Sequence, residues 1–228
     1  MTLSFSEVEK ELLARADSKR LAGMARYGIT AKNALGVSMP EIRALARRTG
    51  RNAALARQLW ASGVHEMRIL AGLVHVPGEF SGLEADAWCA DFHSWDVCDQ
   101  TCLNLVRHTP FARAKTAQWA EDEREFVRRA GFSLMAVLAV HDKAAADAEF
   151  VRCLSVICRY CGDERNMVKK AVNWALRQIG KRNAALNAHA IEAARAMLRL
   201  QSRAGNWIAR DALRELCSES VARRLKKA

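Results

Sequence analysis

The sequence predicts an all-α protein, an α-α superhelix (solenoid) of HEAT-like or armadillo-type two-helix repeats, read as a single HEAT-like repeat domain over residues 1–228. Three observations predict it. Ala, Leu, Arg, Glu and Lys dominate, which favours helix, and only Pro40, Pro77 and Pro110 interrupt it. No segment carries a convincing strand signal. Five helical segments can be laid over one another with Arg68, Asp99, Arg129, Lys170 and Arg210 at one shared position, at successive spacings of 31, 30, 41 and 40 residues. That is about the length of two helices with their loops.

The elements follow in order. Ser4 stands as N-cap before FSEVEKELLARA, because a hydroxyl there can accept from an otherwise unpaired N–H of the first turn. Ser38 does the same before MPEIRALARR, with Pro40 in the first turn, and Thr109 before PFARAKTAQWA. The first helix of each pair is EIRALARRT, LEADAWCADF, PFARAKTAQWA, DAEFVRCLSVICRYC and AHAIEAARAMLRL. The second is HEMRILAGLV, CDQTCLNLV, VRRAGFSLMAVL, VKKAVNWAL and IARDALREL. Second helices in such stacks often line one concave surface, and a row of Arg and Lys there would follow phosphates. Asp99 is the one acid in that row and needs another reason to exist.

Thirty-six Lys plus Arg against 25 Asp plus Glu leave a formal charge of +11, which favours a polyanionic partner, either nucleic acid or an anionic surface. The N-terminus has no apolar run of signal-peptide length and no stretch is apolar enough to span a bilayer, so the expectation is a soluble, cytoplasmic, nucleoid-associated protein with no membrane partner. A monomer is the default. The seven cysteines are odd in number and sit in apolar helical patterns, as buried thiols in a reducing compartment would. Cys158 and Cys161 form a CxxC with Cys153 nearby, but no second pair or His cluster follows at zinc spacing, so no metal is expected. HEMRI lacks the second histidine of a zincin, and there is no Gly-rich phosphate loop and no GxSxG elbow. No cofactor is implied.

Three helices hold the candidate functional residues. In NMVKKAVNWALRQIGKR, Val168, Ala171, Val172, Ala175, Leu176 and Ile179 cluster on one side at 100° per residue, and Lys170, Trp174, Arg177 and Lys181 on the other. An indole off the core face among three cations suits a stacking surface. FVRRAGFSLMAVLAVH is apolar nearly all round and therefore central. Its Arg129 shares a stripe with Ser133, Ala136 and Val140, which would leave space above them, and pairs with a neighbouring carboxylate, contacts phosphate, or does both. In HSWDVCDQTC, Ser94, Asp96 or a neighbour caps a helix, and Trp95 and Asp99 stand at i and i+4 on one face. Leu103 and Val106 share that face, so spacing leaves its exposure open. Cys98 and Cys102 read as packed thiols, and His65 and His141 as structural residues at helix ends.

GMARYGI (23–29), SWDVCD (94–99), FVRRAGF (126–132) and VKKAVNWALRQIGKRN (168–183), in this order, resemble the bacterial alkylpurine DNA glycosylases of the AlkD family, built from HEAT-like repeats. The resemblance implies that Asp99, four residues after Trp95, is the catalytic carboxylate. It implies further that Trp95 itself, Arg129, before AGF, and Trp174, in NWALR, belong to the same catalytic set, and that Tyr27 lies near the same cleft. It implies hydrolysis of the N-glycosidic bond of cationic N3- or N7-alkylated purines in double-stranded DNA, without a metal and without extrusion of the base. Arg68, Lys170, Arg177, Lys181 and Arg210 are then the expected phosphate contacts. Relatives on this scaffold include proteins that bind unusual DNA without excising bases, so a non-catalytic nucleic-acid scaffold, and beyond it a protein-docking solenoid, stay open beside the enzyme.

Overall fold

The computed structural model describes residues 3–29 and 32–226; the ends of the range 1–228 lie outside it. Among the described residues there are fourteen α-helices, two short 3-10 turns and no strand. The chain divides into two compact units, one up to Pro110 and one from Phe111.

The first unit holds α1 (Phe5–Leu13), α2 (Ser18–Arg26), α3 (Met39–Thr49), α4 (Ala53–Ala61), α5 (His65–Val74), α6 (Gly82–Ala90) and α7 (Trp95–Asn104). Ser4 and Ser38 are the N-cap residues of α1 and α3 as expected: Ser4 forms a reciprocal capping box with Glu7, while at Ser38 the Glu41 carboxylate accepts from both the backbone N–H, at 3.0 Å, and the hydroxyl. Pro40 sits in the first turn of α3. The pairing of EIRALARRT directly with HEMRILAGLV is corrected, because α4 intervenes. Asn52 accepts from the Leu55 N–H to start α4, whose Leu55, Ala56, Leu59 and Trp60 are buried, and α4 packs on α5. Trp60 stacks on Trp88 of α6 at 4.0 Å between ring centroids, with Phe92 edge-on, so an aromatic cluster forms this unit's core. α5 in turn packs on α7. Glu66 in α5 is buried, and its carboxylate accepts from the backbone N–H groups of Leu35, Gly36 and Val37 at 2.8, 2.7 and 3.3 Å. It thereby satisfies three donors of the loop before α3, where Gly36 takes φ +79° and a Cβ would lie 2.3 Å from the Asp17 carbonyl oxygen.

The second unit holds α8 (Ala112–Ala120), α9 (Glu125–His141), α10 (Asp147–Tyr160), α11 (Asn166–Gly180), α12 (Ala184–Leu198), α13 (Arg203–Leu216) and α14 (Glu219–Leu225). Thr109 does not cap α8. It is extended, its hydroxyl donates to the Val106 carbonyl at 2.7 Å, and Pro110 and Phe111 form a turn before the helix starts at Ala112. α9 is central, as its all-round apolarity predicts: it packs on α8 and on α11, and α11 packs on α13. Gly131 allows a close approach of α9 to α8, because a Cβ there would stand 2.3 Å from the Ala120 backbone nitrogen.

Asp163, in the turn between α10 and α11, ties three elements. Its carboxylate accepts from Arg128 of α9 at 2.8 Å and from Arg165, the N-cap of α11, at 2.9 and 2.5 Å. Burial pushes its carboxyl up, but the hydrogen bonds from Arg165 and Arg128 outweigh burial and hold the pKa at about 2. A folded-state pKa below the unfolded one adds stability that is present above about pH 4 and is lost as pH falls towards 2. Asp163→Asn is therefore expected to cost about 2 kcal/mol at pH 7. In urea denaturation the gap between variant and wild type should close between about pH 4 and pH 2. A gap independent of pH would show that this carboxylate's charge is not what holds the turn.

Candidate nucleic-acid interface and active site

In α7, Val97, Cys98, Thr101 and Cys102 face the core, which leaves Trp95 and Asp99, one turn apart, half-buried on the same side. Spacing alone left Trp95 undecided, and a contact distant in sequence settles its orientation. Its indole Nε1–H donates at 3.0 Å to the backbone carbonyl of Tyr27, the C-cap residue of α2, whose own side chain is 73% exposed. An indole held by its N–H keeps one orientation without being buried.

The start of α7 is fixed by Asp96. Ser94 is the N-cap residue by backbone conformation but makes no capping bond with its side chain, whereas Asp96 Oδ1 accepts from the Val97 N–H at 3.0 Å. Asp96 Oδ2 accepts from buried His65 Nε2 at 2.9 Å. His65 Nδ1 lies 3.4 Å from His93 Nε2, and Arg68 donates to His93 Nδ1 at 3.0 Å. Since a guanidinium only donates and a carboxylate only accepts, the hydrogen bonds run in one direction from Arg68 through His93 and His65 to Asp96, and His93 accepts at Nδ1 and is therefore neutral. Burial, followed by the charges of Arg68 and His65, pushes the His93 pKa down, in keeping with this. Burial pushes Asp96 up, yet the His65 hydrogen bond helps to outweigh it and leaves the carboxyl below its usual range. Arg68 also donates to the Asp91 carbonyl at 3.0 Å and lies over the Trp60 ring at 5.2 Å. It is therefore engaged in packing this unit, and does not stand as an open cation of the expected row.

In the second unit Arg129 is 6% exposed and donates to the Met167 carbonyl in the first turn of α11 at 2.6 Å. The space expected above its stripe is filled over Ser133 and Ala136, which are fully buried, and only Val140 at its end is open, at 37% exposed. On α11 the apolar face is buried as the 100° pattern predicts, together with Asn173, which donates to Asp211 of α13 at 2.7 Å. Trp174 lies off that face and is half-buried. Of its three neighbouring cations only Lys170 is exposed. Arg177 and Lys181 both reach Glu215 of α13 at 2.6 Å. Burial pushes Glu215 up, but Lys181 and Arg177 outweigh it and hold its carboxyl low, so both cations are engaged and the trio keeps one net positive charge. Arg210, on α13, is exposed.

Sequence reasoning passed over Trp207, also on α13 and 42% exposed, with Lys169 Nζ 5.2 Å from its ring centroid. The spacing Arg203, Trp207, Arg210, Arg214 was available, but the repeat alignment kept one position per helix. Tyr27, Arg68, Trp95 and Asp99 thus belong to the first unit, and Arg129, Lys170, Trp174, Arg177, Lys181 and Arg210 to the second. Chemically, the first unit presents an orientated aromatic ring beside a carboxylate, a pair able to face a developing cation. The second presents exposed cations and indoles, suited to phosphates and base faces.

Comparison with known proteins adds two findings. Residues 8–216 match a family described as DNA alkylation repair enzyme. Among solved structures, a chain from a new family of proteins related to the HEAT-like repeat DNA glycosylases, with affinity for branched DNA structures, superposes at a TM-score of 0.76. The two are 20% identical, and the match covers 85% of this chain and 83% of that one, so the fold is that of the HEAT-like repeat proteins. A search of curated proteins finds no match.

Proposed function

This chain belongs to the DNA alkylation repair enzyme family, and from that membership we propose that it is a DNA glycosylase that hydrolyses the N-glycosidic bond of cationic N3- or N7-alkylated purines in double-stranded DNA. The observation that carries the reading is the pair on α7, a carboxylate one turn from an indole whose N–H is held by Tyr27. A purine alkylated at N3 or N7 already bears positive charge and leaves as a neutral base, so protonation by a general acid and activation by a metal are not required. What the reaction builds is positive charge on the deoxyribose. Asp99 stabilises that charge and orients the attacking water, while Trp95 offers a π face to the cation. The resemblance to the AlkD family further implies a reaction without turning the nucleotide out of the duplex, unlike most glycosylases.

Arg129 acts as a positioning residue: from its buried place it holds the first turn of α11, the helix that carries Lys170 and Trp174. Lys170 and Arg210 contact backbone phosphates. Arg177 and Lys181 contribute less, because both are held by Glu215, whose charge offsets one of theirs. The solved relative's affinity for branched DNA supports a second reading, a DNA-binding scaffold without excision. A duplex carrying one 7-methylguanine separates the two when abasic sites are scored by alkaline strand cleavage. The glycosylase reading expects cleavage at the methylated position and affinity that falls with salt. Salt-sensitive binding with no abasic sites would leave the scaffold, and absence of DNA binding would remove both.

A further inference from the structure

We propose that the outward stripe of α13 is a second nucleic-acid contact, in which Trp207 stacks on an unpaired base while Arg203 and Arg210 hold the phosphates on either side. The inference rests on the DNA-binding reading and adds a preference to it: a site for single-stranded nucleic acid that does not use the pair on α7.

Trp60, Trp88 and Trp119 are packed in the cores, whereas Trp207 is the most exposed tryptophan among the described residues. The inner face of α13 is closed by Ala204, Ile208, Ala209 and Ala212, so the helix does not need the indole for packing. Arg203, Trp207, Arg210 and Arg214 recur at one helical face over ~16 Å and line an open recess of about 600 Å³ with Asn206 and Asp211. Asp211 is the only acid of that recess, and it is already bonded by Asn173 and Arg214. Among the described residues neither Arg203 nor Arg210 has an ion-pair partner, so both charges stand open beside the ring. Lys169 adds a fourth cation above the indole.

Charge of this sign and density excludes an acid-poor partner, and an aromatic plane among cations matches a chain that alternates phosphates with flat bases. In an intact duplex the base faces are stacked on one another and cannot reach the indole. An unpaired strand exposes them.

The test compares wild type with Trp207→Ala, Trp207→Phe and the double variant Arg203→Gln/Arg210→Gln, by fluorescence anisotropy on an oligo(dT) single strand and on a blunt duplex. Trp207→Ala is expected to weaken oligo(dT) binding about tenfold, and Trp207→Phe, which keeps a ring, about twofold, with duplex affinity unchanged in both. The double arginine variant is expected to flatten the salt dependence on oligo(dT) by about one phosphate contact or more. Unchanged oligo(dT) affinity in Trp207→Ala, or an equal loss on both DNAs, overturns the inference while duplex binding and base excision by wild type stand. Wild type that binds neither DNA overturns the inference and the DNA-binding reading together. Circular dichroism of each variant shows that a loss is not a loss of fold, as the exposure of all three side chains leads one to expect.

Discussion

Asp99→Asn is expected to slow release of 7-methylguanine by about a hundredfold or more while duplex affinity stays within about twofold. Asparagine keeps the size of the side chain and its place one turn after Trp95, so packing of α7 against its buried face is undisturbed. The negative charge is removed, and one acceptor oxygen becomes an amide donor. A unit charge about 4 Å from a developing cation contributes roughly 4 kcal/mol at the screening typical of a partly buried site, enough for a loss of this order. Because the charge matters as the sugar becomes cationic, the effect falls on the bond-breaking step and spares binding. Single-turnover release measured by chromatography, with anisotropy for affinity, separates the two. A parallel loss of affinity would make Asp99 a binding residue.

The second large effect concerns the scaffold. Gly131→Ala is expected to cost about 3 kcal/mol and lower the melting temperature by about 10 °C. The added Cβ would meet the Ala120 nitrogen at 2.3 Å, the Thr116 carbonyl oxygen at 2.7 Å and the Ala120 Cα at 2.8 Å. All three are backbone atoms of α8 or bonded within it, so no rotamer change relieves the clash and the helices have to separate. α9 is buried along most of its length, so separation on one side disturbs its packing on the other. Gly78→Ala serves as the control, since a Cβ there has nothing within 4 Å. Equal melting temperatures for the two variants would contradict the close helix approach. The glycine in FVRRAGF thus has a packing reason independent of chemistry.

How much could be read from the chain follows from the range of the interaction that decides each feature. Buried faces repeat within one helix, so the apolar side of α11 and the central place of α9 were legible from the 3.6-residue period. Asn52 and the buried Leu55, Ala56, Leu59 and Trp60 announce α4 equally well, but a repeat register fitted to second helices stepped over it. Thr109 has the extended backbone of a cap, but Pro110 and Phe111 form a turn before α8 and its hydroxyl donates back to the Val106 carbonyl, neither of which its sequence neighbours announce. Asp99 stands out in the sequence as the one acid at the shared repeat position, although Arg68 and Arg129 at that position are not open cations. The orientation of Trp95 was not legible, because the carbonyl that fixes it lies 68 residues away. The same limit applies to Arg68, Arg177 and Lys181. A row of charges treats every cation as open, while Asp91, His93 and Glu215, which occupy them, come from other segments of the chain. Glu66 shows the converse, a carboxylate inside an apparent metalloprotease fragment that serves three backbone N–H groups.

The most direct test is single-turnover release of 7-methylguanine from a methylated duplex by wild type and Asp99→Asn, side by side and with protein in excess. Wild type is expected to release the base well above the spontaneous rate, and the variant to fall towards that rate while still binding the duplex. Release by wild type at the spontaneous rate, or equal release by both proteins, would contradict a glycosylase that works through Asp99.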